Sequence, residues 1–321
     1  MLLALALDFS LGDPPNRFHP LLLMGRWLSW GRKLAPNKHR FWFGTGWILT
    51  GATLFALPFW QLENHHRKSK SKHNDKKPKN SLRPTPYEVL LTPFLLKPVF
   101  AYRNLRRAVL EIYQALSTRD LPEARRLVGW HLVSRDTSQL SAAEVAGATI
   151  ESLAENLTDS LTAPLLAYAA GGLPAAWAYR FINTADAMWG YRTAEFEQLG
   201  KFPARLDDVL NWLPARLTGW LLVSAAWLAG EDGKGAARTM LAQHHRTASL
   251  NAGWTMSAIA GALGVTLSKR GVYELAGGHA ALDDRTIKRA LRVADICVGI
   301  TIVLIGAGWL AVKTRFVNKV P

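Results

Sequence analysis

Residues Asp136–Tyr179 read DTSQLSAAEVAGATIESLAENLTDSLTAPLLAYAAGGLPAAWAY and contain no Lys, Arg or His, although the chain carries 39 Lys and Arg. Four acidic side chains in this stretch recur at spacings of seven, four and four, which places them on one face of a helix. They are Glu144, Glu151, Glu155 and Asp159. A solvated helix normally offsets such carboxylates with Lys or Arg three or four residues away. The pattern therefore predicts that a cation reaches this acidic face from elsewhere.

The beginning and the continuation of this helix are also predictable. Ser141 and Glu144 form the S-x-x-E capping box, so the helix begins at about Ala142. The apolar run that follows is interrupted at Gly171–Gly172. Broken helices at membrane depth are tolerated only where they line a cavity or lie inside protein. Either the run Leu161–Ile182 is therefore re-entrant or buried in protein, or the site lies at membrane depth.

Composition indicates a membrane protein. The 321 residues are 49% hydrophobic, include 13 Trp and carry a formal net charge of +15. Crossing a bilayer takes about 20 mostly apolar residues, and basic flanking loops are typical of membrane proteins. The prediction is an all-α, multi-pass integral membrane protein with about four to five membrane segments and with amphipathic and re-entrant helices. The apolar runs are Phe41–Trp60, Leu161–Ile182, Leu217–Ala229 and Val293–Val312, with a weaker one at Val89–Tyr102.

Because the apolar residues are gathered in runs, the basic charge favours a lipid bilayer as partner rather than nucleic acid. A single domain over residues 1–321 is expected. Within it, Glu63–Arg83 is a low-complexity basic segment predicted to be a disordered loop. Residues around Arg106 form an amphipathic pattern, predicted to be a helix along the membrane surface. The single cysteine, Cys297, excludes an internal disulfide.

Polar clusters mark the candidate site, although each has a structural explanation when taken alone. Gly12–Pro15 is a turn sequence, and Asn183 with Asp186 could cap a helix. Arg135 and Asp136 could form a local ion pair between two helices. Asn251 could belong to a plain turn.

Taken together, the clusters predict a binding site for a phosphorylated ligand. Carboxylates and amides are hard oxygen ligands that suit Mg²⁺, which prefers a few carboxylates plus substrate phosphates. Interleaved arginines suit bidentate binding of phosphate or carboxylate. The sequence has no Walker A loop, no G-x-S-x-G and no Cys/His zinc pattern. The residues alone thus predict a membrane-associated site for Mg²⁺ and anionic, phosphorylated small molecules.

The clusters belong to longer motifs in a fixed order, which are LDFSLGDPPNRFHP (7–20), MGR (24–26), SRDTSQL (134–140), ESLAENLTDS (151–160), YRFINTADAMWGYR (179–192), ARLDDVLNWLPARLT (204–218), NAGW (251–254) and AGALGV (260–265). These motifs, in this order, resemble the CobD/CbiB family, the adenosylcobinamide-phosphate synthases of cobalamin biosynthesis. The resemblance covers nearly the whole chain. Ser134 and Ser160 stand where the family pattern has Gly.

The resemblance implies a multi-pass enzyme of the bacterial inner membrane. Such an enzyme joins aminopropanol, or its O-phosphate, to the propionate of a corrinoid acid through an amide bond, with ATP and Mg²⁺. It also implies association with other late cobalamin-assembly membrane enzymes. The alternative is an AmpE-like membrane sensor of the same ancestry, in which the acidic and amide motifs should be eroded.

The resemblance further implies roles for individual residues, each a hypothesis. The expected metal ligands are Glu151, Glu155 and Asp159. The expected catalytic residues are Arg135, Asp136, Glu151, Glu155, Asn156, Asp186, Arg192, Asp207 and Asp208. The residues expected to bind the cofactor or shape its site are Asp13, His19, Arg26, Thr137, Asn183, Tyr191, Arg205, Asn211 and Asn251.

Overall fold

The computed structural model describes residues 2–11, 20–74 and 91–317. Within these ranges the chain is mostly helical, which confirms the all-α prediction apart from one short β-hairpin. The helices are α1 (Leu2–Leu11), α2 (Leu21–Leu34), α3 (Arg40–Asn74), α4 (Thr92–Leu96), α5 (Tyr102–Ser117), α6 (Leu121–His131), α7 (Ala142–Leu157), α8 (Ala163–Trp189), α9 (Lys201–Leu210), α10 (Trp212–Ala229), α11 (Gly233–Gln243), α12 (Ala252–Leu263) and α13 (Asp284–Val317). The strands are β1 (Thr266–Lys269) and β2 (Tyr273–Ala276).

Contacts divide the chain into two compact units. The first unit comprises Met1–Phe100, Pro164–Leu210 and Leu304–Pro321, and the second comprises Ala101–Ala163 and Asn211–Val303. Two such units can belong to one domain, so the single domain over 1–321 stays a prediction.

Aromatic side chains pack the helices of the first unit. Trp27 of α2 and Trp47 of α3 stack with ring centroids 4.5 Å apart. Each indole N–H donates to the other residue's backbone carbonyl, at 3.3 and 3.1 Å. Further along α3, Phe59 stacks on Trp177 of α8 at 4.6 Å. Stacked pairs of this kind stabilise a contact beyond the area that they bury.

Helix α8 is broken at the predicted glycine pair. Gly172 has φ +70°, a left-handed backbone that favours glycine, and Gly171 is also non-helical. The backbone N–H of Leu173 donates to Glu63 Oε1 at 2.9 Å, so a side chain from α3 caps the second half of the helix. The interruption of the Leu161–Ile182 run is confirmed.

The structure corrects the first part of the predicted disordered loop Glu63–Arg83. Helix α3 continues to Asn74, so residues 63–74 are helical. Extending an existing helix is much easier than nucleating one, and Lys, Arg and Glu are good helix formers. Residues 75–83 lie outside the described part of the chain.

In the second unit, the acidic helix α7 packs against α5 and α6. The buried side chains of α5, α6 and α7 meet in one apolar cluster, which includes Ile112, Val128 and Val145. The apolar face of α5 therefore packs against protein, which corrects the prediction that this amphipathic helix lies along a membrane surface. Helices α11 and α12 approach closely because Gly261 lies against the Gly235 carbonyl, where a Cβ would collide.

Among the described residues, one helix is long and apolar enough to cross a membrane, Asp284–Gly308 of α13. Its central charge, Asp295, accepts hydrogen bonds from the Tyr102 hydroxyl at 2.6 Å and from Arg106 Nε at 2.9 Å. A charge in an apolar helix is costly unless it is paired in this way. The prediction of about four to five membrane segments is not confirmed and stays a prediction.

Candidate functional site

A polar cavity in the second unit, the Glu151 cavity, gathers part of the predicted site. Its volume is about 200 Å³, room for roughly six waters at about 30 Å³ each. This volume suits a phosphoryl group or a hydrated ion, and it is smaller than the roughly 300–1,000 Å³ that pockets for whole small molecules usually span. The lining residues are Leu132, Val133, Ser134, Arg135, Glu151, Ser152, Glu155, Met256, Lys269 and Tyr273.

Glu151 is the buried carboxylate of this cavity. The residue is 6% exposed, and its Oε1 has no hydrogen-bond partner among the described residues. Burial raises the pKa of Glu151 to about 7, against the lowering effects of a hydrogen bond from Tyr273 and the nearby charges of Arg135 and Lys269. A buried carboxylate oxygen without a partner is costly, which makes Glu151 the leading candidate of this cavity for contact with a ligand.

Local sequence explains why Glu151 is held inside the protein. Helix α7 begins at Ala142 with the predicted capping box, in which the Ser141 hydroxyl accepts from the Glu144 N–H and Glu144 accepts from the Ser141 N–H. Apolar residues on either side of Glu151 are fully buried, including Ile150 and Leu153. Burial of these neighbours carries the Glu151 carboxylate into the interior, about two and a half turns after the start of the helix.

The predicted cation for the acidic face comes from distant parts of the chain. Arg270, in the turn of the β-hairpin, forms a two-pronged ion pair with Glu144. Arg135 and Lys269 line the cavity beside Glu151. The positive charge that α7 lacks within its own sequence is therefore supplied by Arg135 from a loop and by Lys269 and Arg270 from the hairpin.

Sequence reasoning missed Lys269, Arg270 and Tyr273. All three belong to the hairpin, in a stretch that carries none of the family motifs quoted above. The alternation of Leu267 and Leu275, both buried, with polar neighbours is the signal that could have indicated short strands.

The other acidic and amide residues of α7 have different surroundings. Glu155 is exposed at the mouth of the cavity, and its charge contributes to the raised pKa of Glu151. Asn156 donates to the Ser152 carbonyl at 2.9 Å, a bond within the helix. Asp159 lies in the π-helical turn Thr158–Thr162, which follows α7. Such turns often occur at functional sites.

The described residues contain no group of three His, Cys, Asp or Glu side chains placed to hold a metal ion. The predicted ligands Glu151, Glu155 and Asp159 are thus not gathered into a three-carboxylate site. Mg²⁺ commonly binds through one or two carboxylates plus phosphate oxygens. Glu151, with one carboxylate oxygen that has no hydrogen-bond partner among the described residues, and the exposed Glu155 beside it in the cavity wall fit that smaller ligand set.

In the Arg135–Asp136–Thr137 motif, the structure brings only Arg135 to the cavity. Asp136 is exposed and accepts from the backbone N–H of Ser138 at 2.9 Å, which lowers the pKa of Asp136. The Thr137 hydroxyl donates to the Arg125 carbonyl at 2.8 Å. Asp136 and Thr137 therefore shape the loop that presents Arg135.

A second polar group, the Asn183–Asp207 cluster, lies in the first unit. Asn183 Nδ2 donates to Asp207 Oδ1 at 3.3 Å, and Arg180 Nη1 donates to Asn183 Oδ1 at 3.4 Å. Asp207 is 8% exposed. Arg180 was not among the predicted site residues, although it stands three residues before Asn183 on α8, where helical spacing places both on one face.

The remaining predicted residues of the first unit are more open. Burial raises the pKa of Asp208, and the nearby charge of Arg192 offsets part of this rise. The Asp186 carbonyl accepts from the Gly190 N–H at 2.7 Å and closes the end of α8. The exposed side chains are Tyr191, Arg192, Arg205 and Arg26. Asp13 and His19 lie outside the described residues.

Asn211 and Asn251 belong to the second unit and are both buried. Asn251 precedes α12 and accepts from Arg216 Nη1 at 3.4 Å. The Arg216 guanidinium lies over the Trp212 ring at 4.2 Å and the Trp254 ring at 4.9 Å. Stacking and hydrogen bonding together fix Arg216, so Asn251 acts as part of a packed Arg–Trp group.

The fold and the cavity define a class: a mostly helical protein that holds a buried carboxylate and two cationic side chains around a small polar cavity. The chain belongs to the CobD/CbiB family, because the family model described as "CobD/Cbib protein" matches residues 1–302. The resemblance inferred from the motifs is thereby confirmed.

Curated relatives agree with this assignment. The chain is 40% identical over 314 residues to a "Probable cobalamin biosynthesis protein CobD" of Methanothermobacter thermautotrophicus, covering 97% of each chain. It is 36% identical over 293 residues to the "Cobalamin biosynthesis protein CobD" of Dehalococcoides mccartyi, covering 90% of each. A relative of the same name from Photorhabdus laumondii is 33% identical, with 84% of this chain and 82% of that protein covered. No solved structure matches this chain.

Proposed function

We propose that the protein is a membrane ligase of cobalamin biosynthesis. It would form an amide bond between aminopropanol, or its O-phosphate, and the propionate carboxylate of a corrinoid acid, with cleavage of ATP. Membership of the CobD/CbiB family and the names of the curated relatives support the pathway. The observation that supports this chemistry most directly is the buried Glu151, which has a carboxylate oxygen without a hydrogen-bond partner among the described residues and lines a small cavity together with Arg135 and Lys269.

The chemistry requires activation, because a carboxylate is a poor electrophile. In the proposed reaction a carboxylate oxygen of the corrinoid attacks the γ-phosphorus of ATP, which forms an acyl phosphate and releases ADP. The amine then attacks the acyl carbon, phosphate leaves and the amine loses a proton. The protein needs no nucleophile of its own for these steps.

The residues of the cavity can supply positioning and charge neutralisation, which dominate catalysis of phosphoryl transfer. Arg135 and Lys269 would hold phosphoryl oxygens as they gain charge. Mg²⁺, held by Glu151 with Glu155 near it, would neutralise the phosphate charge. At about 200 Å³ the cavity can hold the reacting phosphoryl group, while the rest of each large substrate would lie outside it.

The membrane location is part of the proposal. The helix Asp284–Gly308 could cross a bilayer. Helices α3 and α10 also expose large apolar side chains, such as Trp60 at 55% and Trp227 at 56%. Exposed apolar surface of this kind suits contact with lipid or with partner membrane enzymes of the pathway. The compartment proposed is the cytoplasmic membrane, which is the inner membrane in a bacterium.

An AmpE-like sensor is not favoured, since the relatives named above are cobalamin biosynthesis proteins. The test is an assay of the purified protein with corrinoid acid, aminopropanol phosphate, ATP and Mg²⁺. We expect the amide product, one ADP per product, and rescue of an auxotroph that grows on cobinamide but not on cobyric acid. A membrane-inserted protein that neither makes the amide nor rescues growth would contradict the proposal.

A further inference from the structure

The β1–β2 hairpin forms one wall of the Glu151 cavity. We propose that Lys269 of this hairpin binds the phosphoryl group of the ligand together with Arg135, and that Tyr273 is a positioning residue that fixes the Glu151 carboxylate. This inference rests on the proposed function, which supplies the phosphorylated ligand.

Strand pairing places Lys269 and Tyr273 together. The two residues are directly opposite each other in the antiparallel register, at the end of the hairpin next to its turn. Directly opposed side chains lie on the same face of a sheet, with Cβ atoms about 5 Å apart. Both residues line the cavity, as this geometry requires.

The core holds this face of the hairpin in place. Leu267 and Leu275 are also opposite each other, two residues further from the turn, so they share the face of Lys269 and Tyr273. Both leucines are fully buried. The apolar half of the face is thus packed in the core, and its polar half extends into the cavity.

Two further contacts fix the hairpin ends. Arg270 in the turn forms the ion pair with Glu144, seven residues before Glu151 on α7. At the other end, the Gln243 side chain makes two hydrogen bonds with the backbone of Ala276, at 3.0 and 2.8 Å. Helix α7 therefore contacts the hairpin twice, through Glu144 at the turn and through Glu151 in the cavity.

The contacts of Glu151 indicate different roles for Tyr273 and Lys269. Tyr273 hydrogen bonds to the Glu151 carboxylate, and the nearby charges of Arg135 and Lys269 attract it. Tyr273 can therefore orient the carboxylate. Arg135 and Lys269 both line the cavity, where their N–H donors can reach an anionic ligand, and Lys and Arg are the usual protein ligands of phosphate.

The experiment measures binding of ATP with MgCl₂ by calorimetry, in full-length protein without corrinoid, so that no turnover occurs. We expect Lys269→Gln to weaken binding about ten-fold, equivalent to about 1.4 kcal/mol. Lys269→Arg should stay within about three-fold of wild type. Lys234→Gln, which removes an exposed positive charge on α11, is the matched control and should bind like wild type.

Tyr273→Phe removes only the hydroxyl. We expect it to lower kcat for amide formation by about ten-fold, with KM for ATP changed less than three-fold and with an unchanged melting temperature. An equal kcat in Tyr273→Phe and wild type would overturn the positioning role.

Two outcomes separate the inference from the proposed function. If wild-type protein makes the amide while Lys269→Gln binds ATP as tightly as Lys234→Gln does, the role of Lys269 is wrong and the proposed reaction stands. If wild-type protein neither binds ATP nor makes the amide, the proposed function is wrong, and the inference about the hairpin falls with it.

Discussion

The Glu151 cavity and the Asn183–Asp207 cluster are both built from predicted site residues, but they use their polar groups differently. In the cluster, the Asp207 carboxylate accepts a hydrogen bond from the Asn183 amide at 3.3 Å, and the amide oxygen of Asn183 accepts one from Arg180 at 3.4 Å. In the cavity, Glu151 is as deeply buried as Asp207, yet its Oε1 is left without a partner. Polar residues that satisfy each other stabilise a fold. A buried oxygen without a partner lowers stability unless a ligand binds it.

This difference between the two carboxylates makes the cavity a place where a bound ligand would change the free energy of folding. Mutations in the cavity and in the cluster should therefore have different effects. Changes in the cavity should affect activity more than stability, and changes in the cluster should do the reverse. The predictions below test this division.

The largest effect is expected for Glu151→Gln. Loss of the carboxylate should lower ATP-dependent amide formation by about 100-fold or more, because a positioned charge that acts on the transferring group is lost. Far-ultraviolet circular dichroism and the melting temperature should show an intact fold. Glu123→Gln, a matched change at a surface carboxylate, should keep full activity.

One result for Glu151→Gln would contradict the comparison between the cavity and the cluster. If Glu151→Gln keeps near wild-type rate and Mg²⁺ dependence, the assignment of Glu151 to the metal and phosphoryl site is wrong.

The second prediction concerns pH and the ligand-free protein. The pKa of Glu151 is raised to about 7 from an ordinary value of 4.5, so the folded state binds a proton more tightly than the unfolded state. The stability that this protonation contributes is complete below pH 4.5 and is lost as pH rises through about 7. The upper bound is about 3 kcal/mol of unfolding free energy.

Melting temperatures of wild-type protein and Glu151→Gln between pH 5 and about 8 measure this effect. Wild-type protein should lose stability relative to the variant across that window. Parallel curves for the two proteins would contradict a raised pKa for Glu151.

The third prediction concerns the cluster. Asn183→Ala removes the amide that joins Arg180 to Asp207, and it should lower the free energy of unfolding by about 1–3 kcal/mol. Activity of the folded fraction should fall by about ten-fold or less, because no phosphoryl ligand is assigned to these groups. Denaturation and activity measured on one preparation check both parts. If Asn183→Ala keeps full stability but loses activity by about 100-fold, the assignment of the cluster to stability rather than activity is wrong.

The smallest effect is expected outside the cavity, at the Arg270–Glu144 pair. The backbone N–H of Ser141, then Arg270, lower the pKa of Glu144 to about 2. Its contribution to stability is present above pH 4.5 and is lost as pH falls toward about 2. Because Arg270 is largely exposed, Arg270→Gln should cost less than about 1 kcal/mol. If Arg270→Gln loses stability over the same acid pH range as wild-type protein, the backbone hydrogen bond alone sets the pKa of Glu144.

Much of this site is predictable from the sequence where the signals are local. The capping box of Ser141 and Glu144, the start of α7 and the break at Gly172 depend on neighbouring residues, and the structure confirms all three. The lack of a local cation along α7 also predicted that charge comes from elsewhere, as Arg270 does.

The sources of that charge could not be predicted. Lys269 and Tyr273 reach Glu151 from more than a hundred residues away, through strands of four residues each. Such short strands carry almost no periodic signal. Periodicity also could not distinguish the buried Glu151 from the exposed Glu155, because both residues stand on one helix face. Only the packing of α7 separates them.

In the proposed reaction, Glu151 would hold the cation of a metal–nucleotide complex. The most direct test replaces Mg²⁺ with Mn²⁺ and records electron paramagnetic resonance with ATP, including the coupling to phosphorus. We expect wild-type protein and Asn183→Ala to bind Mn²⁺ with ATP and show the phosphorus coupling, and Glu151→Gln to lose the bound signal. An unchanged bound signal in Glu151→Gln would contradict the account.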